Sequence, residues 1–134
     1  MSGVSSVVGV WKLVGGTTTD PSGNKVGVPY GPRGMGLVSL TADGRMMAVL
    51  VDGRSKTPDG KRDYSSYCGN YTFDGSTLIT TVDAASDPSR MGSQQVRKVR
   101  FEGERMILVP PDREEGGVKL HRELTWERVS TVSL

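Results

Sequence analysis

The sequence predicts an all-β fold, an eight-stranded antiparallel up-and-down barrel, built by residues 1–134 as a single domain. Three observations predict it. Tight-turn pairs, Asp43-Gly44, Asp74-Gly75 and Glu102-Gly103, recur between short stretches of alternating apolar and polar residues. No helical stretch of ~10 residues separates the strand patterns, which argues against parallel βαβ units. The two tryptophans, Trp11 and Trp126, lie in the first and last apolar runs, as they would if those two strands met. Such a meeting removes the exposed sheet edges.

The first strand covers residues 7–14, with Trp11 and Leu13 on one face and Val10 and Val14 on the other. Residues 15–34 form a long connection rich in glycine, proline and threonine, stiffened by Pro29-Tyr30-Gly31-Pro32. Residues 35–41 and 45–51 make a hairpin about Asp43-Gly44, whose glycine accepts the positive φ of a tight turn. Residues 52–65 are a polar connection with a turn at Thr57-Pro58-Asp59-Gly60, and a short helical turn is expected near residues 63–67. Residues 67–73 and 77–83 make a second hairpin. Residues 84–92 form a loop through Asp87-Pro88. Residues 94–101 and 105–109 make a third hairpin, residues 110–117 a further loop, and residues 118–129 the eighth strand.

Composition narrows the classes of function. The net charge is +2, from 17 basic and 15 acidic side chains that are well mixed, which argues against a nucleic-acid partner. Arg97-Lys98-Arg100 is the densest basic stretch, but on a strand these side chains divide between two faces. One histidine, His121, and one cysteine, Cys68, make no metal-ligand pattern, so no metal or other cofactor is expected. Cys68 has no partner for an internal disulfide and suits a small packed side chain. No Gly-x-Ser-x-Gly marks a nucleophilic serine. The glycines at 31, 34 and 36 lack the strand-loop-helix context of a phosphate loop. Residues 1–10 carry neither the basic region nor the apolar stretch of a signal peptide, and no run of ~18 apolar residues is available to cross a membrane. The expectation is a cytoplasmic protein, monomer or homodimer, with no membrane partner.

A barrel has an interior, and face-by-face reading gives its candidate lining. On the sixth strand Gln94, Val96, Lys98 and Arg100 suit solvent, which sends Gln95 and Arg97 inward. On the fourth, Tyr67, Gly69, Tyr71 and Phe73 share a face too apolar for water. On the last, Arg122, Leu124, Trp126 and Arg128 make the inner set. The fifth strand divides into Leu78-Thr80-Val82 and Ile79-Thr81-Asp83, and either face suits the interior. The candidate lining is Leu37, Ser39, Tyr67, Tyr71, Gln95, Arg97, Arg122 and Leu124, with Trp11, Trp126 and Arg128 at the floor. Thr81 and Asp83 join it if the second face of the fifth strand points in. Both long connections are expected to border the mouth, with Tyr30 as a lid residue. This is an apolar and aromatic wall with a few directed donors, as a small apolar or aromatic organic ligand requires. A buried guanidinium must be paired or meet an anion, so Arg97 or Arg122 either forms an internal salt bridge, with Asp83 or Glu123, or holds a carboxylate, phenolate or enolate.

Several stretches together resemble the lipocalin-like domain family of short stand-alone proteins. Gly9-Val10-Trp11 matches the Gly-x-Trp of the first lipocalin strand, and Arg128 in Leu124-Thr125-Trp126-Glu127-Arg128 stands where that family places an arginine over the tryptophan. Gly34-Met35-Gly36-Leu37-Val38, Asp43-Gly44-Arg45-Met46, Gly69-Asn70-Tyr71-Thr72-Phe73-Asp74-Gly75 and Gly92-Ser93-Gln94-Gln95-Val96-Arg97 extend the match over nearly the whole chain. Ser39 stands where the family often has tyrosine, and Thr80-Thr81 where it often has a histidine pair. The resemblance implies a ligand-binding barrel, and members among natural-product genes imply cofactor-free isomerases, cyclases or dehydratases acting on polyketide- or terpenoid-like substrates. In that reading Arg97 stabilises enolate-like charge, Tyr71 or Tyr67 is the general acid, and Asp83 is the base. A carrier or sensor that leaves its ligand unchanged is the alternative, and a protein-interaction module the third reading.

Overall fold

The computed structural model describes residues 7–130. Ten strands form one antiparallel sheet: β1 (Gly9–Thr19), β2 (Lys25–Gly27), β3 (Gly34–Leu40), β4 (Arg45–Asp52), β5 (Tyr64–Phe73), β6 (Thr77–Ala85), β7 (Gln94–Glu102), β8 (Arg105–Val109), β9 (Arg113–Glu115) and β10 (Val118–Ser130). Their order is β2-β1-β3-β4-β5-β6-β7-β8-β10-β9, and β1 also pairs with β10. The sheet therefore closes into an eight-stranded barrel, with β2 and β9 as short additions beside the ends of β1 and β10. The expected eight strands are the ring, and the two additions lie inside segments expected to be loops.

Closure is made by a long register, from Trp11 opposite Arg128 and Leu13 opposite Trp126 to Thr19 opposite His121. The pairing slips between Leu13 and Gly15. That irregularity bends β1 away from β3, which it pairs only from Gly9 to Lys12, while it stays on β10. β1 thus runs to Thr19, five residues past its expected end. The helical turn expected near residues 63–67 is instead the start of β5. Tyr64 and Ser65 pair with Val51 and Leu50, and the ladder satisfies their backbone groups. The short helical turn lies earlier, at Pro58–Gly60.

One end of the barrel is closed by three tight turns and a packed core. Trp11, Leu40, Leu78 and Met106 are almost fully buried there, with Met46 and Phe73 beside them. Trp11 Nε1 donates to the Val7 carbonyl at 3.0 Å. The Arg128 guanidinium lies 4.2 Å from the centroid of the Trp11 ring and donates to the Val8 carbonyl. Taking each indole out of water contributes about 4–6 kcal/mol by transfer of roughly 150–250 Å². The long connections gather at the opposite end.

Candidate functional site

A cavity of about 420 Å³ opens toward the long connections. Its deep wall is apolar: Val38 from β3, Ala48 and Leu50 from β4, Leu108 from β8, and Leu124 and Trp126 from β10. Alternation along each strand puts these side chains on one face, and antiparallel register places Val38 opposite Ala48 and Leu124 opposite Leu108. Toward the mouth the wall becomes polar, with Tyr67, Ser65, Gln95 and four arginines, Arg90, Arg97, Arg113 and Arg122. Tyr30 and Pro29 cover one side. A second hollow of about 460 Å³ lies outside them and shares Pro29, Tyr30, Ser65, Arg90, Arg113 and Arg122 with the first.

Arg97 and Arg90 are held by neutral groups, and Arg113 pairs with Glu115. Arg97 donates from Nη1 to the Val96 carbonyl at 2.8 Å and from Nη2 to Gln95 Oε1 at 3.1 Å. Gln95 Nε2 donates to Ser93 Oγ at 3.3 Å, and Ser93 Oγ to the Arg90 carbonyl at 2.5 Å. Arg90 Nη1 donates to Ser65 Oγ at 3.2 Å. Arg122 Nε is buried and has no hydrogen-bond partner among the described residues, and Trp126 Nε1 is in the same condition. Burial lowers the Arg97 pKa, and the neighbouring Arg90 charge acts in the same direction. Burial also lowers that of Arg122, helped by Arg113 and Arg97. Tyr67 is shifted upward by burial, with the Arg97 charge opposing the shift. Its phenol is therefore held as the neutral hydroxyl.

Among the expected lining residues, Tyr30, Tyr67, Gln95, Arg97, Arg122 and Leu124 border this cavity. Five others do not. Leu37 and Ser39 point outward, because Val38 and Leu40 of β3 take the buried face; Leu37 is 51% exposed. On β6, Leu78, Thr80 and Val82 are buried, which turns Thr81 and Asp83 to solvent. Asp83 pairs with Arg45 of β4 at 2.6 Å on the outer surface. It has no route to the cavity as a base, and it is not the internal partner of Arg97. Glu123 also faces out, where it binds Arg100 at 2.8 Å and His121 at 2.9 Å. Tyr71 is buried but belongs to the closed end, where its hydroxyl donates to the Thr41 carbonyl at 2.5 Å. Arg97, Tyr71 and Asp83 therefore do not meet.

The mouth depends on a residue that the sequence reading passed over. Asp52, at the end of β4, is almost fully buried. Its carboxylate accepts the Arg54 backbone N–H at 3.1 Å, Arg54 Nε at 3.0 Å and Arg54 Nη2 at 2.5 Å. These bonds hold its pKa down at about 2. Arg62 Nη1 ties the Asp52 and Arg54 carbonyls together, each at 2.5 Å. Gly31 packs directly on this pair: a Cβ there would lie 2.9 Å from Arg54 Nη2 and Asp52 Oδ2. Gly31 also takes a φ of +77°, and Tyr30 a φ of +64°, unusual for a side chain of that size. The signal in the sequence was an acid closing the apolar run Met46 to Val51 and followed at once by Gly53-Arg54.

The site is a sheltered hollow with an apolar base and a polar entrance, a shape that suits a small organic molecule. No curated protein and no solved structure matches the chain. The model of the lipocalin-like domain family matches residues 8–129, and the chain belongs to that family.

Proposed function

We propose that this protein binds a small, largely apolar organic molecule inside the barrel and holds it unchanged, as a carrier or sensor. The carrying observation is the cavity of about 420 Å³ bounded below by Val38, Ala48, Leu50, Leu108 and Trp126. Such a wall removes an apolar body from water at roughly 25 cal/mol per Å². The separation of Tyr71 and Asp83 from Arg97 weighs against the acid–base arrangement expected from the sequence. The test is titration with the neutral fluorophore N-phenylnaphthylamine. One saturable site with a blue-shifted emission is expected, and Leu124→Trp, which fills the hollow from its apolar wall, should remove it. A folded wild-type protein that leaves the dye in water would end the proposal.

A cofactor-free isomerase or cyclase is the second reading, favoured by one observation: the Tyr67 phenol and the Arg97 guanidinium border the same hollow. There Tyr67 would serve as general acid and Arg97 would steady developing enolate charge. Recovery of a bound natural ligand in its original form after prolonged incubation favours the carrier; multiple turnovers favour the enzyme.

A further inference from the structure

The cavity has far more hydrogen-bond donors and positive charge than acceptors. Its lining holds four guanidiniums and not one carboxylate among the described residues. Arg113 is paired with Glu115 at 2.5 Å. Arg90, Arg97 and Arg122 make no ion pair within 4 Å among the described residues. Asp87 and Glu115 line the adjoining hollow beside Arg90 and Arg122, whereas the partners of Arg97 are a carbonyl and an amide oxygen. Arg122 Nε and Trp126 Nε1 are buried donors without acceptors there. Charges of one sign held together behind a low-dielectric wall repel one another and attract a counter-ion strongly. A buried donor without an acceptor costs about 1–3 kcal/mol until something accepts from it. A ligand oxyanion supplies the missing counter-charge.

We propose that the ligand is an organic anion, an apolar body bearing one oxyanion head, and that Arg97 and Arg122 receive that head while the body lies against Leu50, Leu108 and Trp126. This rests on the binding reading above and adds the charge of the ligand to it. Arginine suits the role because its planar fork donates two parallel bonds to a carboxylate-like group and is weakly hydrated. The position of the head follows from the polarity of the wall. The apolar residues lie deep, and the cations lie between them and the mouth, so the anion sits at mid-depth with its body inward. Arg90 adds long-range attraction at the entrance.

The experiment compares two dyes with one scaffold, N-phenylnaphthylamine and anilinonaphthalene sulfonate, which differ by the sulfonate. The wild-type protein should bind the sulfonate about tenfold or more tightly than the neutral dye, the two should compete for one site, and added salt should weaken only the sulfonate. Arg97→Gln with Arg122→Gln should remove the preference, bringing the ratio of the two affinities in the folded variant to within about threefold of one. Lys98→Gln, on the outer face, should change neither. Equal affinities in the wild type, or a preference that survives in the folded double variant, overturn the anion while the cavity reading stands. If neither dye binds, the cavity reading falls and the anion with it. Should the double variant not fold, the wild-type competition and its salt dependence decide alone.

Discussion

The Arg128 guanidinium lies over the Trp11 ring at 4.2 Å, joining the last strand of the barrel to the first across the closed end. The ring is 1% exposed, so the cation meets a desolvated π face, and it also donates to the Val8 carbonyl. A cation–π contact of this kind contributes about 1–2 kcal/mol, and a charged hydrogen bond about as much. Arg128→Leu should therefore lower stability by roughly 2–4 kcal/mol in a denaturant titration. Dye binding in the folded variant should be unchanged, because Arg128 does not border the cavity. An affinity that falls along with stability would show that the floor and the cavity are coupled.

Gly69 marks a close approach between two strands of the wall, β5 and β6. A Cβ at this position would lie 1.9 Å from the Thr81 carbonyl oxygen and 3.1 Å from Val82 Cα, beside the register slip between Cys68 and Gly69. Those atoms are backbone, so no rotamer change relieves the clash. Gly69→Ala is expected to cost about 3 kcal/mol or more and to yield little folded protein. Gly75→Ala is the control. Nothing lies within 4 Å of its Cβ, and only its φ of +104° resists the change, so the loss there should be nearer 1 kcal/mol. Comparable thermal shifts for the two would mean that β5 and β6 separate readily.

Faces were legible in the sequence wherever charge marked one side of a strand. On β7 the exposed Lys98 and Arg100 send Gln95 and Arg97 inward, although Gln94 and Val96, expected toward solvent, also border the cavity, and on β10 the Glu123 and Glu127 side leaves Arg122, Leu124 and Trp126 for the interior. Where both faces are alike, alternation has nothing to act on. β3 carries Met35 and Leu37 on one side and Val38 and Leu40 on the other, and β6 offers a threonine to each face. Only the pairing of Val38 with Ala48 and of Trp11 with Val38 decides the first case. Arg90 and Arg113 come from segments expected to be loops, and a loop gives no periodicity from which to aim a side chain. Asp52 escaped notice for a similar reason: its burial is created by a connection that folds back over it.

Asp83 and Arg45 form their ion pair in the open, at 49% and 45% side-chain exposure. Solvent screens such pairs, and they contribute about 0–1 kcal/mol. Asp83→Asn should leave stability within about 1 kcal/mol and dye affinity unaltered. If the protein converts a substrate, that variant should keep its full rate. A large fall in kcat with unchanged KM would return Asp83 to the reaction and require a different arrangement of β6 in solution.

His121 sits between two acids, with Nδ1 2.9 Å from Asp112 and Nε2 2.9 Å from Glu123. The hydrogen bonds that the imidazolium donates to Glu123 and then to Asp112 raise its pKa above the ordinary 6.5. The folded protein thus binds the proton more tightly than the unfolded chain. The stabilisation is complete below about 6.5 and disappears as pH rises through the higher folded value. The imidazole is well exposed, so the effect is small. A melting series from acid to mildly alkaline pH should show the wild type losing a modest advantage over His121→Gln, and parallel curves would exclude the triad as a contributor.

Asp52 gives the opposite dependence at the acid end. Its carboxylate is held at about 2, against an ordinary 3.8, chiefly by the Arg54 side chain and backbone N–H. The unfolded chain takes up this proton first, so the contribution is complete above about 4 and lost as pH falls through about 2. Because Gly31 packs on the Asp52–Arg54 pair, neutralisation should loosen the Tyr30 segment before the barrel itself. Wild-type protein brought stepwise from neutrality to pH about 2 should lose thermal stability steeply over that window. Asp52→Asn should begin lower at neutral pH and fall less. Hydrogen exchange at Tyr30 and Gly31 should accelerate in acid ahead of β4 and β5. Exchange that rises at the same pH in the segment and in the strands would place the acid-sensitive contact elsewhere.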